Sequence, residues 1–393
     1  FNKGLEVPKY SRIVSVEEIE KSEFNLNLPR YIDSQTPEDL QDIAGHLQGG
    51  IPTADVDALQ RYWDICPKLR KALFKTQRPG YLNLTVDKAT IKPTIYEHPE
   101  FAAFITGMNE HFATWRNKSA KTLRKLKAGF HPKETIVALS EDLLAHYTDK
   151  PLIDKYDIYQ HLMDYWAETM QDDCYLIAVD GWKAETTRII ERVKNGKEKD
   201  KGWICDLIPK SLIVARYFAK EQEAIDSQTS ELASVIAQRE ELEEEHGGEE
   251  GLLSELEKVN KANVTARLKE IKGDNDSKEE AAVLNTWIKF SASEAELKKL
   301  LKKTEADLDA NAYAKYPELT EAEIKTLVVD EKWLSALDAA IQGEMDRVSN
   351  QLTQRVKELA ERYEIPLPQM VNREAELETK VINHLERMGF VWK

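Results

Sequence analysis

His161 is the residue whose sequence neighbours come closest to an acid–base site. Asp154, Asp157 and Asp164 lie within seven positions of it, in a segment rich in aromatic residues. An imidazole beside a carboxylate can accept or donate a proton near neutral pH. The same spacing fits a buried helix whose polar face is already paired, and we favour that interpretation. None of the eight histidines has another histidine four residues away, and no HExxH is present, so no zinc site is predicted.

A run of basic residues is the best candidate for binding a polyanion. It contains seven Lys or Arg side chains and no acidic one between positions 116 and 133. Positive side chains at this density can contact DNA phosphates, whereas most charge runs are simply solvated helix faces. The candidate DNA contacts are Arg116, Lys118, Lys121, Arg124, Lys125, Lys127 and Lys133. A weaker second patch is made of Lys183, Arg188, Arg192 and Lys194.

The overall charge limits what these basic side chains can do alone. The 393 residues include 55 basic and 70 acidic side chains, which gives a net charge of −15. An acidic chain binds DNA poorly unless a local basic face or a partner supplies positive charge. The three cysteines form no CxxC pair, which favours reduced thiols and a cytoplasmic location. No apolar stretch reaches the ~18 residues of a membrane span, and no basic-then-apolar leader opens the chain.

Motifs that bind nucleotides or related cofactors are missing from the sequence. The glycine clusters at 49–50 and 247–251 do not follow a strand-like run, so neither fits a phosphate-binding turn. A Walker-type loop is also missing. The sequence therefore predicts no cofactor in this chain.

The spacing of apolar residues predicts a mainly α fold. In the C-terminal half, Phe218, Ile225 and Leu232 recur every seven residues, which favours helical hairpins in a coiled-coil-like bundle. A second apolar stripe, from Leu334 to Tyr363, predicts a long helix that packs mainly within the chain. The predicted segments are 1–37, 38–208 (helical, with a small sheet), 209–316 (long hairpins) and 317–393 (C-terminal helices).

Short apolar runs predict a small β element near residues 174–208. The runs at 174–179 and 203–208 have the length of strands, and a solvated loop is expected at 194–201. An extended segment is expected at 24–28, where apolar and polar residues alternate. Ser15 and Glu18 have capping-box spacing, which predicts the start of a short helix through Lys21. Local signals also predict a turn at 78–80 and a capping box formed by Thr320 and Glu323.

Residues 24–33, with the sequence FNLNLPRYID, resemble the M subunits of type I restriction–modification systems. In that family an Asn-Leu-Asn and Pro-Arg-Tyr stretch follows the methyltransferase domain, and residues 10–12 and 16–20 match its upstream companion. Residues 151–157, 159–166, 199–203 and 244–248 are similar to a longer-tailed subgroup. The resemblance covers most of the chain, with residues 1–37 as the tail of the methyltransferase domain.

The resemblance implies that the complete M subunit uses S-adenosylmethionine to methylate adenine N6 in DNA. The implied partners are a specificity (S) subunit that reads the DNA, a second M subunit and a restriction (R) subunit. The C-terminal region is expected to dock on helical regions of S. The Asn-Pro-Pro-aromatic motif that holds a flipped base is missing here. We therefore expect a fragment, starting at Phe1 downstream of the catalytic motifs, that is inactive alone and has no catalytic residue.

Two other classes of protein fit the same patterns. A free-standing helical scaffold or DNA-binding adaptor with no enzymatic parent would show the same hairpins and the same basic run. An independent enzyme centred on residues 156–166 would use His161 and Asp164. The sequence leaves both alternatives open.

Overall fold

A computed structural model describes residue 6 and residues 11–28, 31–32, 41–192, 198–248, 251–254, 256, 258–274 and 277–390. These residues are mainly helical, and their strands form two small antiparallel sheets, which confirms the predicted fold class. The chain divides into two compact units, Phe1–Ile95 with Leu352–Lys393, and Tyr96–Gln351. The four segments expected from the sequence remain a prediction. Among the described residues, each helix is too short or too polar to span a membrane.

The α-helices of the described chain are numbered in sequence order. They are α1 Val16–Lys21, α2 Ile43–Gln48, α3 Thr53–Asp57, α4 Gln60–Trp63, α5 Pro67–Leu73, α6 Ile91–Tyr96, α7 Pro99–Leu123, α8 Pro132–His146, α9 Lys155–Tyr165, α10 Gln171–Asp180, α11 Lys210–Tyr217, α12 Ala219–His246, α13 Lys261–Glu270, α14 Lys278–Lys315, α15 Glu321–Lys325, α16 Ser335–Arg362 and α17 Leu367–Arg387. The strands are β1 Ile51–Pro52, β2 Phe74–Arg78, β3 Tyr81–Leu84, β4 Thr187–Arg192 and β5 Glu198–Ile204.

The first unit contains a three-stranded sheet of order β1-β3-β2 within residues 38–208, where the sequence predicts helices and a small sheet only near 174–208. The turn predicted at 78–80 joins β2 to β3, and Gly80 adopts φ +81°, a value that glycine tolerates best. Phe74 and Leu82 are the buried residues of these two strands. Each strand therefore has one inward side chain, which is too few to produce an alternating pattern.

The start of the described chain agrees with one local prediction and contradicts another. The predicted short helix forms as α1, and Ser15 is its N-cap, because the Ser15 hydroxyl accepts a hydrogen bond from the Glu18 N–H at 3.3 Å. The extended segment expected at 24–28 is wrong. The Phe24 N–H donates to the Ile19 carbonyl at 2.9 Å, and Phe24 has a positive φ, so the chain turns at the end of α1. Residues 29, 30 and 33 of the family-like stretch lie outside the described residues.

The second unit is built from longer helices and one β hairpin. Strands β4 and β5 pair antiparallel within the region where a small β element is expected. Residues 198–201, expected in a loop, belong to β5, and residues 194–197 lie outside the described residues. The charged residues of β5 are exposed, so the strand has the composition of a solvated loop. Composition alone therefore led to the wrong prediction of a loop.

Residues 174–179 form part of α10 and not the expected strand. Asp173, Cys174 and Ile177 are buried at helical spacing, while Tyr175 and Val179 are exposed. The run therefore looks uniformly apolar because this helix has apolar side chains on its solvent face as well. An apolar run of this length cannot be assigned to a helix or a strand by periodicity alone.

Helices α12 and α14 form an antiparallel hairpin, as the apolar repeat predicts. Arg239 Nε donates to Glu294 Oε2 at 3.0 Å, and Thr304 Oγ1 donates to Gln228 Oε1 at 2.8 Å. Beside the end of α12, α13 covers a small core of Leu253, Val264, Ile271, Leu284 and Trp287. The hairpin is thus established by its contacts, and a coiled-coil geometry for it remains a prediction.

Helix α16 carries the apolar stripe predicted from Leu334 onward. Its inward side chains are all buried, namely Leu337, Ile341, Met345, Val348, Leu352, Val356 and Leu359. Upstream, Thr320 and Glu323 form the predicted capping box at the start of α15. The nine residues between these helices, Thr326–Leu334, form a π-helix.

Candidate interaction surfaces

The basic run occupies the end of α7, the segment that leads to α8, and the first turn of α8. Three of its members are held in ion pairs, which join Arg116 to Asp338, Lys118 to Asp142 and Arg124 to Asp330. The other four are exposed, and within the described part of the chain they form no ion pair: Lys121, Lys125, Lys127 and Lys133. The run therefore presents four unpaired ammonium groups to solvent in the second unit.

The described cations of the second basic patch are paired with neighbouring carboxylates. Lys183 lies 3.8 Å from Glu185, and Arg188 lies 3.1 Å from Asp200. The side chain of Arg192 and all of Lys194 lie outside the described residues. Because the described cations have local counter-charges, we assign no polyanion contact to this patch.

His161 belongs to an ion-pair network between α9 and α16. Its Nε2 lies 2.8 Å from Oε1 of Glu344, which is only 7% exposed. Arg347 donates to the other Glu344 oxygen at 2.6 Å and to Asp157 Oδ2 at 2.6 Å. Each charged group in this network is bonded to a neighbouring side chain. The geometry supports the interpretation of His161 as part of a paired helix face.

Helix α17 exposes its apolar face along its whole length, and none of its residues is buried. Leu377 is 51% exposed and Val381 is 57% exposed. At 100° per residue these two side chains point to the same side as Met370 and Met388, which are also exposed. A helix with one apolar and one polar face is normally covered on its apolar face. This face is therefore a candidate surface for a partner.

A cleft of about 920 Å³ opens in the second unit, and the sequence did not point to it. At its floor lies Asp173, which is 3% exposed. Lys332 Nζ lies 2.7 Å from Asp173 Oδ2 and 2.8 Å from the Leu207 carbonyl oxygen, to which it donates. Trp333 Nε1 also donates to Asp173 Oδ2, at 2.7 Å. The sequence shows only that Asp173 directly precedes an apolar run and that Lys332 lies between the apolar residues 327–329 and 333–334.

One π-helical segment precedes Asp173 in the chain, and a second contains Lys332. Trp166–Met170 ends three residues before Asp173, and Thr326–Leu334 contains both Lys332 and Trp333. The π-helix is rare and is often found at functional positions. Burial raises the pKa of Asp173, and the Lys332 ammonium and the Trp333 N–H lower it by less. Asp173 and Lys332 therefore have hydrogen-bond partners, but the burial of their two charges costs desolvation free energy.

His111 and His146 form a reciprocal clasp between α7 and α8. Their rings stack with centroids 3.7 Å apart, and each Nε2 lies 2.8 Å from the backbone carbonyl oxygen of the other. Burial lowers the pKa of His111 from its ordinary value of 6.5; the His146 carbonyl raises it, and the charges of His146 and Lys150 lower it further. The stacked pair therefore favours the neutral form of His111 in the folded chain.

Because of this histidine pair, we expect the free energy of unfolding to fall in mild acid. Because the pKa of His111 is lower in the folded chain, the unfolded chain takes up the proton first as pH falls. The stabilising contribution is complete above about pH 6.5 and declines below it. We expect the pH dependence of the unfolding free energy, measured by urea titration, to flatten in His111→Gln. The exposed control His131→Gln should keep the wild-type dependence, and an unchanged dependence in His111→Gln would refute the assignment.

No family model, no curated protein and no solved structure matches this chain. The resemblance to type I M subunits therefore rests on the sequence motifs alone. Among the described residues there is also no group of three or more His, Cys, Asp or Glu placed to hold a metal ion.

Proposed function

We propose that this chain is the C-terminal assembly region of an M subunit in a cytoplasmic type I restriction–modification system, whose complete form is a DNA adenine-N6 methyltransferase using S-adenosylmethionine. In this role the chain docks on the S subunit, and through S joins a second M subunit and the R subunit. The observation that carries the proposal is the exposed apolar face of α17. The family-like stretch at 24–33 supports the choice of partner.

Helix α17 suits a helical partner better than a flat surface. Leu377, Val381 and Met388 follow one another at intervals of four and seven residues, the spacing that inserts side chains between those of a facing helix. The partner regions of S are expected to be helical from the resemblance. Docking would remove from water the apolar side chains that the chain leaves exposed, and this burial drives association.

The unpaired lysines of the basic run suit a contact with the DNA backbone. The S subunit is expected to read the bases, so this chain needs contacts that are independent of sequence. Lysine ammonium groups supply such contacts to phosphates. The net charge of −15 disfavours DNA binding by the chain as a whole, so the contact needs a local basic face such as this one.

A charge reversal tests the DNA contact. We expect Lys121→Glu with Lys125→Glu and Lys127→Glu to weaken DNA binding by the assembled complex at least tenfold. The dependence of log K on log salt should also become shallower, by about 0.9 for each phosphate contact that is lost. Fluorescence anisotropy of a labelled duplex at several salt concentrations measures both quantities.

A control with the same change in charge is available on α14. Lys299, Lys302 and Lys303 are exposed, and no ion pair is found for them among the described residues. Their reversal to Glu should leave the salt dependence unchanged. Equal losses in the two triple variants would mean that net charge, and not the basic run, controls DNA binding.

The assembly role is tested by co-expressing the tagged chain with an S subunit and measuring what is purified. The expected result is a stable complex that binds no S-adenosylmethionine in a calorimetric titration, because the chain lacks the cofactor motifs. Cofactor binding by the chain alone would overturn the proposal. So would failure to co-purify with S when both proteins are folded.

A further inference from the structure

The cleft above Asp173 has an apolar wall that the assembly role does not use. The wall is formed by Tyr175 and Val179 of α10 and by Ile204 of β5. All three are exposed, and Val179 is exposed by 74%. Large apolar side chains gathered in one concave surface are a common feature of binding sites.

Four carboxylates line the cleft together with this apolar wall. Glu168, Asp172, Asp180 and Asp206 line the same cleft and are exposed. Among the described residues, none of the four takes part in an ion pair.

The two cations of the cleft already have partners. Lys332 is bonded to Asp173, and Lys210 is paired with Asp309. The rim is therefore negative, with its carboxylates uncompensated.

We infer that this cleft docks a basic amphipathic helix of another protein chain. The apolar stripe of such a helix would cover Tyr175, Val179 and Ile204, while Lys or Arg side chains on either side of the stripe would meet the four rim carboxylates. Both halves of the recognition are needed, because an apolar helix without cations would leave the acidic rim desolvated and unpaired.

The negative charge of the rim also disfavours the binding of other ligands. A phosphate-bearing ligand, DNA included, would be repelled by the rim carboxylates. The chain's own helix α17 has four acidic and three basic side chains, so a second copy of α17 lacks the complementary charge. The partner is therefore a different polypeptide, with more positive charge beside its apolar stripe.

The test uses the full chain and a fluorescein-labelled probe of ~18 residues, or five helical turns, composed of Leu and Lys with the leucines on one face. We expect saturable binding in an anisotropy titration. Val179→Asp should raise the Kd at least tenfold, since it places a carboxylate in the apolar wall (about 1.4 kcal/mol per factor of ten). Asp180→Lys with Asp206→Lys should raise it by a similar factor.

Matched controls separate this cleft from general attraction to an acidic chain. Val137→Asp makes the same substitution at another exposed valine, on α8 and 53% exposed, and should leave the Kd unchanged. Glu244→Lys with Glu245→Lys changes the net charge as much as the rim variant and should also have no effect. A scrambled probe of the same composition should bind at least tenfold more weakly. Equal weakening by the control variants, or equal binding of the scrambled probe, would overturn the inference.

Discussion

Replacing Asp173 with Ala should lower the free energy of unfolding by about 3–5 kcal/mol, the usual cost of removing one partner of a buried ion pair. The substitution leaves the Lys332 ammonium, whose side chain is only 10% exposed, without a counter-charge. It also removes the acceptor of the Trp333 N–H. Urea denaturation followed by circular dichroism measures the loss. A change below about 1 kcal/mol would show that the pair is solvated in the folded chain.

Two further variants make this result specific. Asp172→Ala changes the exposed neighbour and should cost less than about 0.5 kcal/mol. The double change Asp173→Leu with Lys332→Met removes both charges and should recover most of the loss, because replacing a buried pair by apolar residues is often neutral. The raised pKa of Asp173 supports this expectation, since desolvation already outweighs the attraction of Lys332.

The second large effect is expected at the apolar face of α17. Leu377→Asp with Val381→Asp should weaken association with the S subunit at least about 100-fold, because each buried aliphatic side chain contributes roughly 1.5–3 kcal/mol. The introduced carboxylates would also have to be desolvated at the interface. Both positions are exposed in the chain alone, so its own thermal stability should change little.

The opposite face of the same helix provides the control. Asn372 and Asn383 are exposed on the polar side of α17. Changing both to Asp introduces two carboxylates into the same helix and should leave the affinity for S within a few-fold of wild type. If the two double variants lose affinity equally, the apolar face is not the docking surface.

The long helices could be predicted from sequence because their apolar spacing repeats over several turns. The buried stripe of α16 and the capping box of Thr320 and Glu323 are two such cases. The positions of the buried charges could not be predicted in the same way. Asp173 meets Lys332 and Trp333 across about 160 residues of chain, a contact that only the tertiary fold creates.

The wrong prediction of a strand at residues 174–179 has a physical cause. Residues 174–179 are apolar on both faces of a helix, and the exposed face forms the wall of a cleft. The fold also divides the basic run, because Arg116, Lys118 and Arg124 are paired with acids from other segments, while the DNA contact itself remains a prediction. A residue type shows which contacts are possible, and the fold decides which are made.

The most direct test of the assembly role is a titration of purified S subunit with the wild-type chain, followed by light scattering. The proposal predicts a saturable complex that contains two chains for each S subunit, as the resemblance implies. Particle masses equal to those of the separate proteins throughout the titration would contradict the proposal, provided that both components are folded.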